Sequence, residues 1–423
     1  MLIQRATLLD GRRVDIRAAD RIHGVAESLA PAPDETVLDA AGGTVIAGLH
    51  DHHVHLHAAA AALDSVRVGP AEVGDRNGLM RSLAAAVPSD DGWIRAVGYH
   101  EAVAGPLDRA VLDAVSPQTP VRVQHRSGVL WTVNSAGLTL LGLGDHPDGI
   151  VRSDDPRWSA ELARREVPLN QLSRQLARHG VIGITDATPD LDTVGLAESG
   201  IVQRVHILAP GKRILHDDAL DLENLTDWIA DTHGSGVPVA LHCVTAAQLV
   251  VTIAALRLAG VRAGDRIEHA AVVPDDCVQD LVGLGVTVVT QPNFVAERGD
   301  QYLTDVPAAE HRELWRVATL LTAGVPLAFS TDTPFGDGDP WAAMRAAVHR
   351  RTPSGAVLGP CETVDARTAL TLFQGRAEDP SSPRRIAPGQ PGDLCILEGS
   401  PRDVLADLDA GRVRATVIAG ELV

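Results

Sequence analysis

Val45-Ile46-Ala47-Gly48-Leu49-His50-Asp51-His52-His53-Val54-His55-Leu56-His57 decides how the rest of the chain is read. Its last eight residues hold five histidines and an aspartate, directly after an apolar run with strand character. Side chains two apart on a strand share a face. His53 and His55 therefore point the same way, with His57 one step further. Two imidazoles on one face, at the end of a buried strand, form the start of a metal site. A purification scar would sit at a terminus and would not continue Thr44-Val45-Ile46-Ala47-Gly48-Leu49.

Around this stretch the chain alternates apolar strands with helical segments, the pattern of parallel β/α units. The strand candidates are 45–51, 94–99, 121–125, 181–186, 201–208, 237–243, 266–270, 286–291 and 326–331. That is one more than a (β/α)8 barrel needs, so one of 94–99 and 121–125 is surplus. The region from about 64 to 160 is long for one β/α unit and reads as an insertion into a barrel spanning 45–384. Both ends of the chain are β-rich, with Asp10-Gly11 as a hairpin signal. Residues 1–44 and 385–423 are expected to build one small β-sandwich.

The strand ends carry polar residues. Val239-Ala240-Leu241-His242, Arg266-Ile267-Glu268-His269 and Leu327-Ala328-Phe329-Ser330-Thr331-Asp332 each close an apolar run. In β/α barrels the chemistry sits at the C-terminal ends of strands. His53, His55, His242, His269 and Asp332 can therefore converge on one point, and they are ligand types for zinc or a similar divalent ion. His52, His57, His125 and Asp186 lie at or near strand ends as supporting or pocket-wall residues. His125 and Asp186 are read as substrate-binding, with Phe294, Phe335 and Trp341 as pocket lining. Cys243 and Glu268 alternate away from His242 and His269 and are read as lying outside the site.

Composition narrows the class. The chain has 423 residues, a formal charge of −18 and 45% hydrophobic residues. The basic footprint of a nucleic-acid binder is missing. No apolar run reaches the roughly 18 residues of a membrane span. Cys243, Cys277, Cys361 and Cys395 are widely spaced, which suits a reducing cytoplasm, and Met1-Leu2-Ile3-Gln4-Arg5 has no signal-peptide pattern. The expected partner is a small-molecule substrate, with no nucleic acid and no membrane, and the sequence leaves the oligomeric state open, a homodimer included.

The run Ala47-Gly48-Leu49-His50-Asp51-His52-His53-Val54-His55-Leu56 resembles the opening motif of the amidohydrolase superfamily. His242, His269 and Ser330-Thr331-Asp332 follow in that superfamily's order. Gly92-Trp93-Ile94-Arg95-Ala96-Val97-Gly98-Tyr99-His100-Glu101, Trp131-Thr132-Val133-Asn134-Ser135-Ala136-Gly137-Leu138 and Pro388-Gly389-Gln390-Pro391-Gly392-Asp393-Leu394 narrow it to the amidohydrolase-3 group, which includes N-substituted formamide deformylases. The resemblance implies a metal-bearing (β/α)8 barrel with a terminal β-sandwich. It also implies hydrolysis of an amide, formamide, carbamate or cyclic amide by metal-activated hydroxide, with Asp332 as proton shuttle. Deamination of an aminated nitrogen heterocycle is the alternative on the same site.

Lys212 completes the expected set. Many amidohydrolases bridge two metals with a lysine carboxylated by CO2 on the fourth strand, and Lys212 precedes the strand of His242 as that order requires. Composition adds an independent reason. Lys212 is the only lysine among 37 basic residues. Arginine stays protonated and cannot be carboxylated at neutral pH. The single lysine is expected where an amine is chemically needed. The segment Ala209-Pro210-Gly211-Lys212-Arg213-Ile214-Leu215-His216-Asp217-Asp218 is shorter than the group's usual one, so one or two metals per chain are both compatible with it.

Overall fold

Gly48 splits the strand expected at 45–51. In the computed structural model, Thr44–Ala47 belongs to one sheet and Leu49–Val54 to another. A Cβ on Gly48 would lie 2.4 Å from the Ile182 side chain, so only glycine lets the chain pass between the two sheets at this point. All residues are described except 154, 160, 161, 163–166, 190 and 192–195.

Thr44–Ala47 is the seam that joins the two ends of the chain. It pairs in parallel with Leu2–Leu8 and antiparallel with Leu394–Leu397. The result is one eight-stranded sheet, completed by Arg13–Ala18, Ile22–Ala26, Val37–Asp39, Val413–Ile418 and Glu421–Leu422. The small β-sandwich expected of the termini is seen here as one hydrogen-bonded sheet to which both ends of the chain contribute. The hydrogen bonds run through Thr44–Ala47 without interruption, so both ends share one sheet around Ile3, Ile16, Ile22, Leu394 and Ile396.

The half of the chain that carries His53, His269 and Asp332 is α/β, built like a β/α barrel. Eight strands, all paired in parallel, form two arcs among the described residues. The first arc holds β1 (Leu49–Val54), β2 (Val181–Asp186) and β3 (Arg204–Ile207), with β2 in the middle. The second runs in order through β4 (Lys212–Arg213), β5 (Ala240–Cys243), β6 (Arg266–His269), β7 (Thr287–Thr290) and β8 (Leu327–Phe329). Helices follow the later strands. One of them, α1 (Ala246–Ala259), starts at Thr245, whose hydroxyl accepts from Gln248 N.

The strand count differs from expectation in an instructive way. Both 94–99 and 121–125 lie outside the arcs, and the missing stave is the two-residue β4. A strand of Lys-Arg carries no apolar signal, so periodicity cannot find it. Ile94–Tyr99 and Val121–His125 pair with each other in a separate five-stranded sheet, with Val66–Arg67, Leu130–Val133 and Ile150–Arg152. That sheet belongs to a compact unit of its own, His57–Leu169, with a core of Leu79, Ile94, Ala96, Val121 and Val123.

The segments that leave β1 and β8 are tied to each other. Asp332 N donates to His53 O at 3.0 Å and His55 N donates to Thr333 O at 2.9 Å. The fully buried Asp51 carboxylate accepts from Thr331 N at 3.0 Å and from Thr331 Oγ1 at 2.5 Å. Asp51→Ala would orphan a buried N–H and a hydroxyl. It is expected to lower the unfolding free energy by about 3 kcal/mol, measured by denaturant titration, and a loss under about 1 kcal/mol would contradict the tie.

Candidate metal centre

β1 supplies His53 on the strand and His55 just beyond it, with the shared face that their spacing requires. Asp332 meets both: its Oδ1 lies 3.6 Å from His53 Nε2 and 3.5 Å from His55 Nε2. His269 joins them, its ring centroid 4.7 Å from that of His53 and its Nδ1 3.9 Å from Asp332 Oδ2. His242 packs edge-on against His269 at 4.6 Å. The structure thus gathers all five residues from four strand ends.

Two of them need unusual backbone. His269 has φ 70° and Asp332 φ 58°, in the left-handed region. Such a conformation costs a non-glycine residue about 1–3 kcal/mol and persists where the surroundings impose it. In β6 the turn at His269 breaks the alternation of the strand. It brings His269 to the centre although Glu268, one residue earlier, is at the centre's edge as well.

Glu268 is therefore a correction. Alternation predicts that it faces away, yet it is fully buried and its Oε2 accepts from His53 Nδ1. β1 and β6 are not ladder neighbours, so this contact crosses the interior of the arcs. Gln291, just past β7, was likewise not legible in the sequence. Its Oε1 is 2.8 Å from His269 Nδ1, and its Nε2 donates to Ser330 Oγ at 2.8 Å. The only signal for either was position at a strand end.

Lys212 lies in β4 and is buried, with no hydrogen-bond partner for Nζ. Burial lowers its pKa to about 8, against the pull of the Glu268 and Asp332 carboxylates. Burial also holds His53 and His269 well below the ordinary histidine range and His242 at about 3, with Lys212 adding to each. These imidazoles are neutral, the form that binds metal.

The site fits a divalent cation. His53 Nε2 and Asp332 Oδ1 are buried and have no hydrogen-bond partner. Buried polar atoms are rarely left so. A cation between them would satisfy both, and His53, His55 and Asp332 offer donor atoms within 4.8 Å of one another. His55 Nδ1 is engaged by Thr188 Oγ1 at 3.4 Å, which leaves Nε2 facing Asp332.

The expected substrate-binding residues fare differently. Asp186 is fully buried and its two oxygens accept from Leu56 N at 2.7 Å and Thr188 N at 2.8 Å. It anchors the backbone beside His55 through both of its oxygens. Trp341 is fully buried with Nε1 donating to His179 O, and Phe294 packs on Trp315 at 5.1 Å under the Arg298 guanidinium. Both are core residues, because aromatics after the last strands are consumed by packing. Phe335 is half-buried and stands edge-on to His55 at 5.1 Å, so it does border the centre. Of the other histidines, His52 stacks on His50 at 4.5 Å, while His57 lies in the first helix of the 57–169 unit. Cys243 points away, its thiol 3.2 Å from Thr252 on α1.

His125 also lies in the 57–169 unit, beside His100 and Glu101. These three resemble a ligand set, but the tautomers argue otherwise. His100 Nδ1 accepts from Ala102 N and His125 Nδ1 from Ser127 N. The ring protons are therefore on Nε2, where they face the Glu101 carboxylate at 3.8 and 3.1 Å. The Glu101 carboxylate is within hydrogen-bond reach of His125 Nε2 and beyond that of His100 Nε2.

A model of the amidohydrolase family matches residues 36–193 and 185–423. The chain belongs to that family, as a metal-dependent hydrolase acting on carbon–nitrogen bonds. It is 25% identical to an N-substituted formamide deformylase of Arthrobacter pascens, over 99% of this chain and 94% of that protein. Its fold resembles that of a metal-dependent hydrolase of Pyrococcus horikoshii, with a TM-score of 0.77 at 19% identity over 98% and 99% of the chains. A 5-methylcytosine deaminase of Klebsiella pneumoniae is more distant, with a TM-score of 0.56 at 15% identity over 100% and 98%. Among the described residues no helix is long and apolar enough to cross a membrane.

Protein purified without chelators is expected to contain one or two equivalents of divalent metal by elemental analysis. Metal-free protein whose turnover is indifferent to chelators would rule out the centre.

Proposed function

We propose that this enzyme hydrolyses the C–N bond of a small amide, with N-substituted formamides as the first class to test. The observation that carries this is the donor cluster of His53, His55 and Asp332, with His269 and then His242 packed beside it, drawn from four strand ends. The relative that acts on N-substituted formamides matches nearly the whole chain and supports that substrate class. The two arcs are read as the staves of one (β/α)8 barrel, with the centre at the C-terminal end of its strands.

His53, His55, His242, His269 and Asp332 would hold the ion, zinc being the best match to a histidine-rich set with a carboxylate. When bound, such an ion supplies Lewis acidity and makes water a nucleophile near neutral pH. With Oδ1 turned to His53 and His55, Asp332 keeps its Oδ2 on the His269 side of the site. It takes a proton there and delivers it to the departing nitrogen. The neutral histidines cannot compete for that proton, since burial holds His53, His242 and His269 low.

Lys212 enters as a carbamate ligand. Its buried, unpartnered Nζ and lowered pKa favour a free amine, which is the species that adds CO2. The adduct is a two-oxygen anion and can ligate as a carboxylate does. Arginine cannot form it, so Lys212→Arg is expected to lose metal as well as turnover. Mass spectrometry of the native protein should show a CO2 adduct that acid removes. Full activity and unchanged metal in Lys212→Arg would exclude this role.

Asp332→Asn is expected to fold and keep metal through its histidines. Its turnover should fall by roughly 10²–10⁴-fold, the usual worth of general acid–base catalysis. The direct test of function is a screen of N-formyl, N-acyl, carbamate and cyclic-amide compounds with metal-loaded protein. Formate release from N-substituted formamides supports the assignment. Ammonia release from aminated heterocycles, with no acid product, would assign deamination instead.

A further inference from the structure

We infer that Glu268, braced by Arg266, makes His53 a stronger imidazole donor than His269 and thereby sets how tightly the ion is held. The inference rests on the reading of His53 as a metal ligand and concerns a positioning residue outside the ligand set.

The geometry begins at His53 Nδ1, which is hydrogen-bonded to Glu268 Oε2. A carboxylate accepts, so Nδ1 carries the ring proton and Nε2 is bare. Nε2 is the atom that faces Asp332, buried and without a partner. Glu268 therefore selects the tautomer that can bind metal and fixes the plane of the ring.

Glu268 cannot drift. Arg266 grips both of its oxygens, Nε on Oε1 and Nη2 on Oε2, the latter at 3.0 Å. The same Nη2 donates to His52 O at 2.5 Å, next to His53 in the chain. Arg266 is 3% exposed and Glu268 not at all, so water competes with none of these bonds. The guanidinium also sets a positive charge directly against the buried carboxylate.

His269 provides the comparison within the same centre. Its Nδ1 is held by the amide oxygen of Gln291, a neutral acceptor. A charged acceptor draws the Nδ1 proton more strongly than a neutral one and leaves more electron density on Nε2. The two rings are 4.7 Å apart and differ in what stands behind them. His53 is consequently the better donor, and the charge on Glu268 is what makes it so.

The test separates charge from shape. Glu268→Gln keeps an acceptor for Nδ1 and removes the charge. It also strands the Arg266 guanidinium, so the double variant Arg266→Met/Glu268→Gln is measured beside it. Metal-free proteins are titrated with zinc against a chromophoric chelator, and with cobalt while the visible absorption is recorded. Both variants are expected to bind zinc about 10- to 100-fold more weakly than wild type. Their cobalt spectra should shift, and Glu268→Asp should recover part of the affinity. Gln291→Ala should cost less than Glu268→Gln. A folded double variant with wild-type zinc affinity and an unchanged cobalt spectrum would overturn the inference while leaving the metal centre intact. Wild-type protein that binds neither ion would instead overturn the reading of His53 as a ligand, and this inference with it.

Discussion

The short bonded contact between the segments leaving β1 and β8 governs the rest of the structure. Asp332 N on His53 O, His55 N on Thr333 O and Asp51 on Thr331 lock together residues nearly 300 positions apart in the chain. Without it His53 and His55 would have no fixed relation to Asp332. The tie is made by backbone and by a carboxylate that is itself fully buried. Burial raises the Asp51 pKa to about 7, despite three hydrogen bonds that oppose the shift. The fold thus accepts a costly buried acid at the point where the site is assembled.

Burial has the opposite consequence for the imidazoles. Desolvation is the largest cause of the lowered pKa of His53, His242 and His269 alike. It keeps them neutral, and a neutral imidazole is the metal-binding form. The same desolvation reduces the proton affinity of Lys212. One physical term, removal from water, therefore prepares both kinds of nitrogen. A hydrogen bond from behind, made by Glu268, then chooses which ring atom of His53 faces inward.

Much of this was legible in the residues themselves. The spacing of His53 and His55 determined their shared face, since side chains alternate along any strand. Apolar runs ending in His242, His269 and Asp332 marked the strand ends where a β/α fold places its chemistry. The single lysine of the chain singled out Lys212 by composition alone. Trp341 misled because an aromatic residue near a strand end looks the same whether it faces a ligand or the core. Only the packing shows that both oxygens of Asp186 accept from backbone N–H groups.

The sequence by itself determined the ligand types, their order and the parallel β/α class, because periodicity and strand-end chemistry are local properties. Tertiary structure alone decided three things. It made a stave of the Lys-Arg pair at 212–213, whose pairing with β5 no apolar pattern announces. It fused the two termini through Thr44–Ala47 into one sheet, since strand partners are chosen by distant segments. It also turned Glu268 toward His53. That contact joins two strands with no ladder between them, so it exists only once the arcs have assembled around a common interior.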